Sequence, residues 1–389
     1  MDRLLARKKS SSSLRRKRSE SGLSSTPSDQ KPREEKSAPY RNPQYELVLN
    51  TKGTFMKESK EGISDASKLL CQKLLDGEQD VPKESVFDDA VFRNACQNLQ
   101  GKNEARVIQD VSRLIVPSAE TLALRAESLE CLVESVNEGW NNSIPLTGTR
   151  PQPDYSVGFR REAFTQDQLD KISPILGDWV SGDQSFFMAT YYMLFPFLSN
   201  EVKCGLQALD VADCQNAHSM TLAARAVVEL FRLVERESEL NRELLAFSIS
   251  HDHRSVRIYG VYPVINGKET EYYRHPIHTF DFTTLDGKEK WTAYRFTKNV
   301  YDVWMPKQFE RICSAIDQLP SKLDFDVPSL PGTGLSQGLG SHHLSRPDDD
   351  TASASKEDDR QSSIAGHRIT PDTSFTGPGA AKRRRDGTK

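Results

Sequence analysis

Apolar residues recur at three and four positions over 64–75 and 85–99, which predicts two amphipathic helices in an N-terminal helical layer. Pro117-Ser118, with Glu120 close behind, reads as a helix start, and the pattern that follows predicts a helix to about Trp140. Leu122, Leu129, Val133, Val136 and Trp140 form its apolar stripe, and Glu127, Glu130, Glu134 and Glu138 form an acidic stripe beside it. Met193 to Leu198 is an unbroken apolar run, which suits a buried strand. Residues 210–234 then predict a long helix, with Met220, Ala224, Val227, Val228, Phe231 and Val234 available to cover a sheet. Strands follow at 244–250, 256–264 and 271–282, with a hairpin turn at Asn266-Gly267 and a second turn at Asp286-Gly287. Pro306 opens a last helix carried by Phe309, Ile312, Ile316 and Leu319. Helices and strands in this order predict an α/β (α+β) core.

The apolar run ends in charge. Glu201-Val202-Lys203 closes a strand too apolar for an exposed edge, so Glu201 and Lys203 need partners. Strand side chains alternate, which puts Glu201 and Lys203 on one face and turns Val202 to the other. Pro153-Asp154 stands upstream and adds a second carboxylate. A hard cation such as Mg²⁺ or Mn²⁺ takes one or two carboxylates with water and substrate phosphate, and a neighbouring ammonium orients the attacking water. Asp154 and Glu201 are therefore the expected metal ligands, and Lys203 the expected catalytic cation. Asp178 and Asp183, inside the long interval between Asp154 and Glu201, are alternative upstream ligands. Residues 166–192 fill that interval as an insertion able to form a helix on the sheet edge.

Pro153-Asp154 and Glu201-Val202-Lys203, with the helix beyond them, resemble the PD-(D/E)XK nuclease superfamily. More loosely, residues 39–319 resemble an uncharacterised fungal family of nuclear-type proteins with a restriction-endonuclease-like core, whose members share stretches similar to Tyr155-Ser156-Val157-Gly158-Phe159. The resemblance implies a mixed central sheet flanked by helices in α-β-β-β-α-β order and Mg²⁺-dependent cleavage of nucleic acid. It also implies an acid from the first core helix, for which Glu134 is the candidate. Finally, it implies a polar residue early in the helix after the Glu-x-Lys, for which Gln215 is the candidate.

Composition divides the chain. Residues 1–38 and 321–389 are rich in Ser, Gly, Pro and charge, which predicts disordered tails around an accessory region, 39–117, and a nuclease-like core, 118–320. The flanks 1–36 and 321–389 hold 21 of the 52 basic and 15 of the 55 acidic residues, leaving 31 and 40 between them, a net of −9. An acidic body argues against a sequence-blind DNA coat, though not against a local basic cleft. Basic clusters between Arg7 and Arg18 and at Lys382-Arg383-Arg384-Arg385 suit nuclear-import receptors and predict a nuclear protein. No run reaches the roughly 18 apolar residues of a membrane span, so no membrane partner is expected. The six cysteines lack C-x-x-C spacing and read as reduced core thiols. His251-Asp252-His253 and the pair His275 and His278 read as turn and surface polarity. No Gly-x-Ser-x-Gly elbow and no phosphate-binding Gly-x-x-x-x-Gly-Lys loop is present. Two functions fit: a metal-dependent nuclease, or a noncatalytic nucleic-acid-binding or assembly module on the same fold, including an effector that enters a host nucleus.

Overall fold

The computed structural model describes residues 5–6, 36–204 and 209–320. Both basic clusters and the polar segment 321–389 lie outside the described residues. Along the chain the helices are α1 (Tyr45–Asn50), α2 (Asp65–Asp76), α3 (Phe92–Leu99), α4 (Glu104–Val107), α5 (Arg113–Ile115), α6 (Ala119–Ala123), α7 (Gln166–Leu176), α8 (Leu209–Leu233), α9 (Thr292–Asn299) and α10 (Met305–Asp317). The strands are β1 (Thr54–Phe55), β2 (Leu132–Val136), β3 (Tyr155–Arg160), β4 (Met193–Val202), β5 (Ala246–His251), β6 (Ser255–Asn266) and β7 (Glu269–Asp281).

They form a seven-stranded sheet in the order β1-β7-β6-β5-β4-β3-β2. β2, β3 and β4 run antiparallel, β5 lies parallel to β4, and β6 and β7 continue antiparallel. A parallel pair needs a crossover, and α8 supplies it between β4 and β5. The protein is thus a mixed-sheet α/β fold with helices on both faces. Alternation assigns the faces. Ser199 and Ser250 point to α8, where Asn216 Oδ1 accepts from the Ser199 hydroxyl at 2.6 Å and Asn216 Nδ2 lies 3.0 Å from Ser250 Oγ. Phe247, of opposite parity to Ser250, packs against Trp304 and Phe296 at centroid distances of 4.9 and 5.8 Å, which puts α9 and the turn after it on the other face. Every residue of β4 is buried, as its apolar run requires of a central strand.

The predicted helices at 64–75, 210–234 and from Pro306 form close to their expected bounds. So does the helix in the insertion, α7, which Thr165 and Gln168 open with a capping box. The predicted strands form as β5, β6 and β7, with Gly267 at positive φ in the hairpin. The expected helix from Ser118 to Trp140 does not form. Ser118 caps only the five residues of α6, and Leu132–Val136 becomes β2. Tertiary pairing overrides the helical spacing here: β2 finds a full ladder on β3, and Ser135 and Ser156 meet at 2.8 Å across it. The helix expected at 85–99 begins only at Phe92, because Asp88 ties Ser85–Val91 into turns through the Ser85 amide.

Gly158 stands where β3 and β4 change register between Val157 and Phe159. A Cβ there would lie 2.6 Å from Met193 Cγ, 2.8 Å from Leu194 O and 3.0 Å from Pro196 Cα, and two of those three atoms are backbone. Gly158→Ala is therefore expected to destabilise the protein by about 1–3 kcal/mol, the usual cost of overpacking. A thermal melt checks this, and an unchanged midpoint would show that the bulge yields freely.

A candidate carboxylate–lysine centre at the end of the central strand

Pro153 has no amide hydrogen, so regular pairing of β3 with β4 starts only at Tyr155, opposite Asn200. Extending that register by one residue puts Asp154 opposite Glu201, on the face that Ser199 shows to α8. Asp154 Oδ2 accepts the Val202 amide hydrogen at 2.9 Å, so the carboxylate takes over where the ladder stops. Lys203 continues the same face. Its Nζ donates to Val202 O at 2.9 Å and stands 3.5 Å from both Glu201 Oε2 and Glu104 Oε1. Glu104 comes from the first turn of α4.

The fifth charged group is Lys36, far upstream. Its Nζ donates to Asp154 Oδ1 at 2.7 Å and to Gln152 O at 2.8 Å, and lies 3.8 Å from Glu201 Oε2. The side chains of Lys36, Asp154, Glu201 and Lys203 are each at most 2% exposed. The ordered domain thus reaches into residues 36–38, part of the expected disordered tail, and that part supplies a buried cation. Burial pushes the Glu201 carboxyl up to about 7; Lys36 and Lys203 pull it down, while Asp154 and Glu104 push it further up.

Asp154, Glu201 and Lys203 come together as expected. Glu134 does not join them. Val136 and Tyr155 are cross-strand partners, so Glu134, two residues from Val136, shares the Tyr155 face, opposite Asp154. There it accepts from the Tyr155 hydroxyl at 2.9 Å and from Ser118 Oγ at 2.7 Å. The acid contributed by a helix is Glu104, which helical spacing alone did not distinguish from its neighbours. Gln215 is buried in α8 with its Oε1 unpartnered, and no side-chain hydrogen bond joins it to the carboxylates among the described residues. Asn216, one residue on, makes the contact with β4. Asp178 and Asp183 bind amides of their own loop instead: Asp183 Oδ2 accepts from Asp178 N at 3.0 Å, and Asp178 Oδ1 from Ser181 N at 3.2 Å.

His251 is not turn polarity. It ends β5 fully buried, with Nε2 2.9 Å from Ser112 Oγ, which in turn lies 3.2 Å from Asn200 Nδ2. Its carbonyl accepts the Lys203 amide at 3.0 Å, so this network backs the strand end that carries the lysine. Burial lowers the His251 pKa. His275 and His278 pair with Glu58 and Glu289 at the surface, as their spacing suggested.

No group of three or more His, Cys, Asp or Glu side chains among the described residues is arranged to hold a metal ion. The oxygens around Lys36 Nζ, from Asp154, the Gln152 carbonyl and Glu201, nevertheless form a hard donor set with a cation already among them. That chemistry fits Mg²⁺ or Mn²⁺, which add water and phosphate to one or two carboxylates.

Fold and centre together define an α/β protein with a buried carboxylate–lysine cluster at the carboxyl end of its central strand. Residues 91–316 match the Domain of unknown function (DUF7924), and the chain belongs to that family. No curated protein matches the chain. The matched span holds Glu104, Asp154, Glu201 and Lys203 and excludes Lys36. No helix among the described residues is long and apolar enough to cross a membrane.

The raised Glu201 pKa has a signed consequence. The folded state holds this proton more tightly than the unfolded chain, so the group's contribution to stability is full below pH 4.5 and is lost as pH rises through about 7. Glu201→Gln removes that loss. Melting both proteins across this window is expected to show the variant gaining on the wild type as pH rises, and parallel curves would contradict the shift.

Proposed function

We propose that the protein is a metal-dependent phosphodiesterase of PD-(D/E)XK type that cleaves nucleic acid, with Asp154 and Glu201 holding Mg²⁺ or Mn²⁺. The observation that carries this reading is that Asp154, which accepts the Val202 amide at 2.9 Å, and Glu201 flank one ammonium, that of Lys36, with Lys203 Nζ 3.5 Å from Glu201. The succession of three antiparallel strands, a crossover helix and a strand parallel to the third supports it, because that order is the one the resemblance implies. When bound, such a cation offsets phosphate charge and makes a water more acidic. The chain's own groups do the rest. Lys203 positions the attacking water and stabilises charge developing on the phosphate, and Glu104 holds the lysine in place. The His251–Ser112–Asn200 network fixes the strand end from behind.

A noncatalytic nucleic-acid-binding or protein-assembly module is the second reading. One observation favours it: the Lys36 ammonium pairs with Asp154 at 2.7 Å and lies 3.8 Å from Glu201, between the two carboxylates. Lys203→Met separates the two, since it keeps the aliphatic stem and removes the charge. For an enzyme, Mg²⁺- or Mn²⁺-dependent cleavage of single-stranded or duplex DNA or RNA should fall by about 100- to 1000-fold, the usual effect of losing a preorganised donor, while nucleic-acid binding stays. Wild type that cuts none of these substrates, or a variant that cuts equally fast, leaves the noncatalytic module.

The same reading places the protein in the nucleus, supported by the basic clusters at Arg7–Arg18 and Lys382–Arg385 and their fit to import receptors. A fluorescent fusion is expected to accumulate in nuclei and to disperse when residues 1–18 and 382–389 are removed. Accumulation that survives the double deletion counts against the clusters.

A further inference from the structure

Lys36 belongs to a segment that wraps over α8 before the main fold begins. Pro39–Arg41 forms one helical turn and α1 follows. Tyr40, Tyr45 and Leu49 pack with Cys214 and Ala217 in a small apolar cluster separate from the main core. Polar contacts pin it, from the Tyr40 hydroxyl to His218 Nδ1 at 2.9 Å and from the Tyr45 hydroxyl to Thr147 Oγ1 at 3.0 Å and to His218 Nδ1 at 3.4 Å. Leu47 and Val48 of α1 remain exposed. A segment packed in its own small cluster, apart from the main core, opens at lower free energy than the sheet beneath it.

What this segment delivers is a cation. The Lys36 ammonium lies among Asp154 Oδ1, Gln152 O and Glu201 Oε2, the oxygens that the proposed reading assigns to a divalent ion. Mutual repulsion keeps an ammonium and a divalent cation from sharing these three oxygens at contact distance. We infer that residues 36–50 are an autoinhibitory strap: Lys36 is an internal competitor of the metal, and cation binding requires the strap to lift. This rests on the metal-site reading of the centre. The strap lies outside residues 91–316, the span that matches the family. Removing the Lys36 charge takes away the cation that sits between the two buried carboxylates and leaves Lys203 beside Glu201, so a divalent ion relieves more repulsion there.

Calorimetric titration of the full chain with MnCl₂, for wild type, Lys36→Met and Asp154→Ala, tests the inference without an activity readout. Lys36→Met is expected to bind Mn²⁺ at least about tenfold more tightly than wild type, a difference of about 1.4 kcal/mol. In wild type, saturating Mn²⁺ is expected to speed amide hydrogen exchange across residues 40–50. Equal affinities for wild type and Lys36→Met, with binding abolished in Asp154→Ala, leave the metal site standing and overturn the strap. Absence of Mn²⁺ binding in wild type and Lys36→Met alike overturns both. Should Lys36→Met fail to melt cooperatively, the exchange measurement on wild type decides, and unchanged exchange at saturating Mn²⁺ overturns the strap.

Discussion

A carboxylate at the end of a fully buried strand is the constraint around which this protein is organised. Glu201 is 1% exposed, and an ionised group taken that far from water is tolerated only beside opposite charge or with its proton retained. The fold meets the demand with two cations from separate places in the chain, one of them held by a further carboxylate. Lys203 arrives two residues later on the same face, Lys36 arrives from the N-terminal strap, and Glu104 reaches in from α4 to bind Lys203. Asp154 adds a second negative charge and also ends the β3–β4 ladder by accepting the Val202 amide. These contacts tie the strap, the helical layer and two central strands to a single point.

The surroundings of that point are stiff in some directions and loose in others. Behind it, the Asn200–Ser112–His251 chain and the Asn216 contacts with Ser199 and Ser250 fix β4 against β5 and α8 through buried hydrogen bonds, which are costly to break in a low-dielectric interior. In front of it, the strap packs through Tyr40, Tyr45 and Leu49 in a cluster of its own and through the Lys36 ammonium.

Much of the fold was legible along the chain because long, strongly periodic segments keep their period in the structure. The apolar β4, the crossover α8, the β6–β7 hairpin and the final helix all follow from local pattern. The misreadings share a cause. The region around Glu134 carries carboxylates at helical spacing, yet its residues also alternate well enough to pair with β3, and the hydrogen bonds of a full ladder outweigh a marginal helix. β1 is two residues long and exists only because β7 offers it an edge, and α9 carries no capping side chain to announce its start.

The sequence by itself determined that Glu201 and Lys203 share a face and that the strand bearing them is buried, because strand alternation and an apolar run are local properties. It also offered Asp154 as a partner in kind, with Asp178 and Asp183 as alternatives. Only the tertiary structure decided that Asp154 stands opposite Glu201, since β3–β4 register depends on a bulge at Gly158 and on where Pro153 stops the ladder. It likewise decided that Glu134 faces away and Glu104 faces in, that His251 is interior, and that Lys36 closes the centre. Each of these joins residues distant in sequence, and Coulomb attraction and desolvation act on distances in space that chain order does not record.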